Sequence, residues 1–194
     1  MTPSKPTGRT APRAFRIRGT LGTRERIVCA AIVVAIGLSV LAVVARITPP
    51  TRALPPGPDF RMWDTQTMKS IRVSDFRGKV VLLDFMATWC RACRESMPDL
   101  LTINQTYGGD AFVLLSVTTD VLDNVAKMEA FRKEFSANWT FAVPVDAARI
   151  AEDYGVTGYP TYVLLDREGR IAYRAIGPVP LETLESSIDA TLGP

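Results

Sequence analysis

Histidine is absent from the chain, and cysteine occurs only at positions 29, 90 and 93. The first absence removes catalytic Cys-His dyads from consideration. The two together leave no four-ligand Cys/His zinc site within one chain, although Cys90 and Cys93 alone have the spacing of half of one. A large excess of charge is lacking too: the net value of +3 is too small to argue for nucleic acid as a partner. The basic excess is concentrated in the first 26 residues, where only Glu25 opposes Lys5, Arg9, Arg13, Arg16, Arg18, Arg24 and Arg26.

A run without charge comes directly after that basic segment. Ile27 to Ala45 contains only Cys29, Gly37 and Ser39 outside the strongly apolar set, with no polar face at any period. As a helix it is roughly 28 Å long, close to the ~30 Å hydrocarbon core of a bilayer. The expectation is a single transmembrane anchor, or uncleaved signal, over residues 27–45. Basic residues precede the run, so the N-terminus is expected in the cytoplasm and the remainder outside, at a cell membrane. A signal peptide cleaved after Val43-Val44-Ala45 and an organelle transit peptide are the competing readings. Cys29 sits at the start of the run, so no lipobox cysteine stands at its far end. Residues 46–58 are rich in proline, which predicts a semi-rigid polyproline II spacer, and 59–194 are the expected folded domain.

Within that domain, Val80 to Phe85 is a short apolar run that reads as an inner strand. Met97, Leu100, Leu101 and Ile103 give Arg91 to Tyr107 a helical period. Cys90 then falls at a helix N-terminus, where free N–H groups and the helix dipole favour a thiolate. The expectation is an exposed nucleophile at Cys90 with Cys93, one turn on, as its resolving partner. Ala111–Val117, Phe141–Val145, Thr161–Asp166 and Ile171–Ala175 read as further strands, and 59–73 as short strands or a hairpin. Helices are expected over the apolar spacing of Val121, Leu122, Val125, Met128, Phe131 and Phe135, then over Ala147–Tyr154 and Leu181–Leu192. The order implies an α/β domain with a central mixed sheet covered by helices on both faces.

Four stretches then carry a resemblance. Phe85-Met86-Ala87-Thr88-Trp89-Cys90-x-x-Cys93-Arg94, Pro98 in the adjoining helix, Tyr154-Gly155-Val156-Thr157-Gly158-Tyr159-Pro160-Thr161, and Asp166-Arg167-Glu168-Gly169-Arg170-Ile171 together resemble the thioredoxin superfamily, and within it the membrane-anchored TlpA/ResA-type thiol-disulfide oxidoreductases. The resemblance covers about residues 59–193. It implies a thioredoxin-like fold, Cys90 as the attacking sulfur and Cys93 as the one that displaces substrate, with no cofactor beyond that redox-active pair and no metal. It further implies a cis bond at Pro160 and a Tyr159 backbone offered to a substrate strand. Trp89 would shield the disulfide or simply pack. Asp84, six residues before Cys90, matches the buried aspartate of thioredoxin proper, which would exchange the proton of Cys93 through water with its pKa raised toward neutrality; an aspartate at a strand end reaching solvent is the plain alternative.

Two departures stand out. Many anchored relatives carry a glutamate three residues after the second cysteine, where this chain has Ser96, and the dipeptide between the cysteines is Arg91-Ala92 without the proline common there. Arg91 and Arg94 are candidates to stabilise the Cys90 thiolate. The leading expectation is a tethered extracytoplasmic oxidoreductase that reduces disulfides of substrate proteins with cysteine pairs, for example in cytochrome c maturation, fed by a membrane thiol-disulfide carrier. The alternatives are a disulfide-forming oxidase and a Cu(I) metallochaperone using the same two cysteines, with Met86 as a possible third ligand.

Overall fold

The computed structural model describes residues 22–47 and 54–193. The chain divides into two units, one carrying helix α1 (Thr23–Ile47) and the other everything from residue 53 onward. The backbone of α1 spans the expected anchor, but its side chains at 25, 29 and 40–47 lie outside the described residues. Among the described residues no helix is long and apolar enough to cross a membrane. Most of the basic segment and the first part of the proline-rich stretch also lie outside them.

The described part of the second unit is an α/β domain built on one mixed sheet. Its strands are β1 (Arg61–Asp64), β2 (Ser70–Arg72), β3 (Val80–Met86), β4 (Phe112–Thr118), β5 (Thr140–Pro144), β6 (Thr161–Leu165) and β7 (Ile171–Ile176). They form one sheet in the order β2-β1-β5-β4-β3-β6-β7. β3 runs parallel to β4 and β4 to β5, whereas β6 is antiparallel to β3 and to β7. Helices α2 (Arg91–Tyr107), α3 (Val125–Glu134), α4 (Ala147–Asp153) and α5 (Leu181–Leu192) cover it.

Every residue of β3 is buried, which is why this strand reads as a continuous apolar run and not as an alternation. Side chains still point alternately to the two faces. Val80, Leu82 and Met86 join the layer made by Met97, Leu100 and Ile103 of α2, Met128 and Phe131 of α3, and Leu184 and Ile188 of α5. Val81, Leu83 and Phe85 join Phe60, Ile150 and Tyr154 on the other side. Each such aliphatic or aromatic side chain contributes about 1.5–3 kcal/mol on leaving water. Two local differences from expectation have clear causes. Helix α3 begins only after Asn124, whose side chain accepts from Lys127 N, so Val121 and Leu122 lie in an exposed loop and not on a covering helix. Competing turn chemistry explains this: Asp120 Oδ1 accepts from Leu122 N at 2.7 Å and closes the chain into a bend before the helix starts.

The proline density predicts a spacer through residue 58, but the structure docks its end on the domain. Pro56 bridges Arg170, Gly57 N donates to Gly169 O at 2.9 Å, and Ile171 N donates to Pro55 O at 2.8 Å. Extended backbone suits a spacer and an added edge strand equally. Gly57 allows the close approach, since a Cβ there would lie 2.8 Å from Leu165 Cδ2 and 3.0 Å from the Gly169 carbonyl oxygen. Gly57→Ala is therefore expected to destabilise the domain by about 1–3 kcal/mol through overpacking, measured by urea unfolding; an unchanged midpoint would mean that residue 57 belongs to a free linker.

Candidate active site

Strand β3 delivers the chain to the site and α2 leads away from it. Cys90 is the N-cap of α2, with extended φ and ψ of −70° and 114°. Cys90 and Cys93 are joined by a disulfide with Cα atoms 5.3 Å apart. The backbone N–H of Cys93 points at Cys90 Sγ, 3.0 Å away. After reduction the same donor and the positive end of α2 are in place for a thiolate at Cys90. Pro98 lies inside α2, where it removes one helical donor.

A helix N-terminus predicts an exposed Cys90, and here the structure differs. Cys90 is only 5 % accessible and Cys93 3 %, because both belong to the core layer between the sheet and α2. The exposed aromatic member of the motif is Trp89, at 60 %. Its ring meets Tyr159 edge-on, with centroids 6.2 Å apart. Tyr159 packs against the layer that contains both cysteines, its hydroxyl lies 3.0 Å from Thr119 Oγ1, and its bond to the buried Pro160 is cis. The loops after β3 and β4 and before β6 thus converge on the disulfide.

Asp123 fastens two of these loops together. Its carboxylate accepts from Thr88 N at 2.9 Å, from Thr118 Oγ1 at 3.0 Å, and from the Thr88 hydroxyl. Sequence reasoning did not single it out, since the expected helix began at Val121 and placed Asp123 within it.

Arg91 and Arg94 are placed elsewhere. Arg91 Nε bonds Glu95 Oε1 at 2.7 Å in an exposed i,i+4 pair, and Arg94 pairs with Glu134 while its guanidinium lies over Phe131 and Phe135 at 5.3 and 5.1 Å. Both cations pair with carboxylates, and the groups placed directly at Cys90 Sγ are the helix end and the Cys93 N–H.

Asp84 is 2 % accessible, so it does not reach solvent at a strand end. By the alternation of β3 it shares a face with Leu82 and Met86, which belong to the same layer as the two cysteines. Oδ2 accepts a hydrogen bond from Ser116 Oγ at 2.8 Å, and Oδ1 has no hydrogen-bond partner among the described residues. Burial pushes the pKa up to about 7, with the Ser116 hydroxyl acting in the opposite direction. Behind Ser116 stands Trp139, whose Nε1–H donates to Ser116 Oγ at 2.9 Å. Ser116 carried the same sequence signal as Asp84, a polar residue interrupting an inner strand.

The raised pKa has a consequence for stability. Below pH ~4 the carboxyl is protonated in both folded and unfolded chains. Between there and pH ~7 the folded chain keeps a proton that the unfolded one releases, so stability falls as pH rises. The loss levels off above the folded pKa of about 7 at roughly 4 kcal/mol. Asp84→Asn is expected to raise stability at pH 8 by up to that amount and to change little at pH 4. Urea unfolding at the two pH values checks this; equal effects at both would place the ionisable burden elsewhere.

Comparison with known proteins gives a consistent picture. The Redoxin family model matches residues 55–192. The chain is 32 % identical over 132 residues to the thioredoxin-like protein YneN of Bacillus subtilis, covering 68 % of this chain and 76 % of that one. It is 31 % identical over 129 residues to the thiol-disulfide oxidoreductase ResA of Bacillus thuringiensis, covering 66 % and 72 %. Among solved structures, it resembles a Chlorobium tepidum protein described as a thiol:disulfide interchange protein DsbE, with a TM-score of 0.65 and 32 % identity over 72 % of this chain and 97 % of that one. It also resembles the thioredoxin domain of a thiol-disulfide oxidoreductase from Bacteroides vulgatus, with a TM-score of 0.62 and 26 % identity over 73 % and 100 %.

Proposed function

The chain belongs to the Redoxin family and is a thiol-disulfide oxidoreductase of the thioredoxin/ResA type, and from that premise we propose that it is a membrane-tethered, extracytoplasmic reductase of protein disulfides. The observation that carries the exchange chemistry is a buried carboxyl on the sheet face beneath a disulfide at a helix N-terminus; the reductive direction is favoured by the resemblance to anchored ResA-type proteins.

The cycle starts from the dithiol. The Cys90 thiolate attacks one sulfur of a substrate disulfide; a Cys90–substrate S–S bond forms, the substrate bond breaks, and one substrate thiolate leaves and takes up a proton. Asp84, as carboxylate, accepts the proton of Cys93 directly or through water. The Cys93 thiolate then attacks Cys90 Sγ, forms the Cys90–Cys93 disulfide and expels the second substrate sulfur, which takes up a proton. Two electrons have passed to the substrate. A pKa of about 7 suits this duty, because the group both takes and returns a proton near neutral pH.

The rim supports a protein substrate. Trp89 and the flanking Val121 (87 % accessible) and Leu122 are exposed apolar side chains on loops tied together by Asp123, and the Tyr159 backbone is the family's site for a substrate strand. The tether rests on the sequence of residues 1–45: a basic segment before an uncharged apolar run favours an anchor with the catalytic domain outside. Regeneration of the dithiol there calls for a dithiol carrier in the membrane. Cytochrome c maturation is the substrate route favoured by the resemblance to anchored ResA-type proteins.

Full-length Cys93→Ala is expected to accumulate mixed disulfides through Cys90 that sediment with membranes and dissolve on addition of dithiothreitol. Cys90→Ser is expected to lower insulin disulfide reduction by at least ~100-fold, since the attacking thiolate is gone. Non-reducing electrophoresis with mass spectrometry reads the first and turbidity the second. Adducts that survive Cys90→Ser, or none in Cys93→Ala, would contradict the mechanism.

A further inference from the structure

We propose that Ser116 and Trp139 form a one-way hydrogen-bond relay that selects which oxygen of Asp84 exchanges its proton, making both of them positioning residues for the thiol step at Cys93. The proposal rests on the exchange chemistry above and deepens it.

Donor and acceptor capacity sets the direction of the relay. An indole N–H can only donate, and a serine hydroxyl has a single hydrogen. Trp139 Nε1–H points at Ser116 Oγ at 2.9 Å, and Ser116 Oγ lies 2.8 Å from Asp84 Oδ2. With the indole hydrogen on one side of Oγ, the hydroxyl hydrogen is directed at the carboxyl group. The hydroxyl donates to Oδ2, so in the relay Oδ2 is held as the acceptor and the proton of neutral Asp84 is assigned to Oδ1. That is the oxygen without a hydrogen-bond partner among the described residues. All three side chains are buried, so water does not compete freely for the relay, and a hydrogen bond to a buried carboxylate is at its strongest.

The surroundings leave few other ways to set the proton's position. Cross-strand from Asp84, β4 presents Ser116 and β6 presents Tyr162. Tyr162 is pushed to higher pKa by burial and by Asp84 and Asp99, and its hydroxyl is within hydrogen-bonding reach of Ser96. Helix α2 contributes Cys93, Ser96 and Asp99. The residues that α3 and α5 add to the layer, Met128, Phe131, Leu184 and Ile188, are apolar. Among the described residues no lysine or arginine acts on the titration of Asp84, and the Ser116 hydroxyl is the one group there that favours the carboxylate.

The test follows the Asp84 carboxyl carbon by ¹³C NMR against pH in the oxidised protein, and separately the pH profile of mixed-disulfide resolution in the reduced protein. Ser116→Ala is expected to move the Asp84 midpoint upward by about one pH unit, a tenfold smaller carboxylate fraction on the acid side. Trp139→Phe keeps a ring where the indole now stacks on Phe141 but frees the serine to turn, and is expected to shift the midpoint the same way by less. The acid limb of the resolution profile should move with the midpoint, and in an Asp84→Asn background neither substitution should move it further. An unchanged Asp84 midpoint in a folded Trp139→Phe or Ser116→Ala protein would overturn the relay; if Ser116→Ala does not fold, Trp139→Phe decides. A shifted midpoint with an unmoved resolution profile would refute the positioning role at Cys93. Loss of all exchange in the unmodified protein would instead count against the oxidoreductase reading, while the NMR titration still reports on the relay.

Discussion

A carboxyl group removed from water without a counter-charge is the constraint around which this domain is arranged. Asp84 stands in the middle of a strand whose every residue is buried, on the face that packs beneath the helix carrying the two cysteines. A carboxylate there is costly, and among the described residues a single hydroxyl offsets the cost. A stability-optimised core would place a leucine at this position. The acid makes sense as chemistry, because a thiol about to attack must lose its proton, and a buried carboxyl nearby is a group that can receive it.

The rest of the site surrounds that layer with three converging loops. Both cysteines are buried, and the exposed side chains beside them include Trp89 and Arg91. Three segments at one end of the sheet meet there: the turn after β3, the loop after β4 and the segment entering β6. Asp123 ties the first to the second through Thr88 and Thr118, and the Tyr159–Thr119 hydroxyl pair ties the second to the third. Such positioning at the strand ends is where α/β sheets carry their sites. A partner that docks here meets a shaped apolar rim, and the sulfur it reaches lies at a helix terminus whose dipole favours the leaving or attacking thiolate.

Much of this was legible in the chain itself. The inner strands are apolar runs, so their existence and type are plain, and one aspartate within such a run marks itself by its cost. The cysteine pair and the helix start coincide with the structure because each depends on local chemistry, and the cis bond at Pro160 agrees with what the family resemblance implies. What local chemistry does not determine was missed. Ser116 and Trp139 meet across 23 residues of sequence, and only the register of β3 against β4 brings Ser116 to Asp84. Val121 and Leu122 have helical spacing, yet the aspartates beside them make a bend. Arg91 and Arg94 lie next to the cysteines in sequence, but a side chain chooses its partner in space, and each found a carboxylate. Pro55 to Pro58 has the extended backbone of a spacer, which is also the backbone an edge strand needs.

The central claim is that Cys90 is an acidic, attackable sulfur and Cys93 its protected partner. Iodoacetamide labelling of the reduced chain across pH, with each cysteine followed by peptide mass spectrometry, tests it most directly. The account predicts labelling of Cys90 at neutral pH with a midpoint below the ~8.5 of a free thiol, while Cys93 stays largely unlabelled. A Cys90 inert at neutral pH, or a Cys93 that labels first, would contradict it.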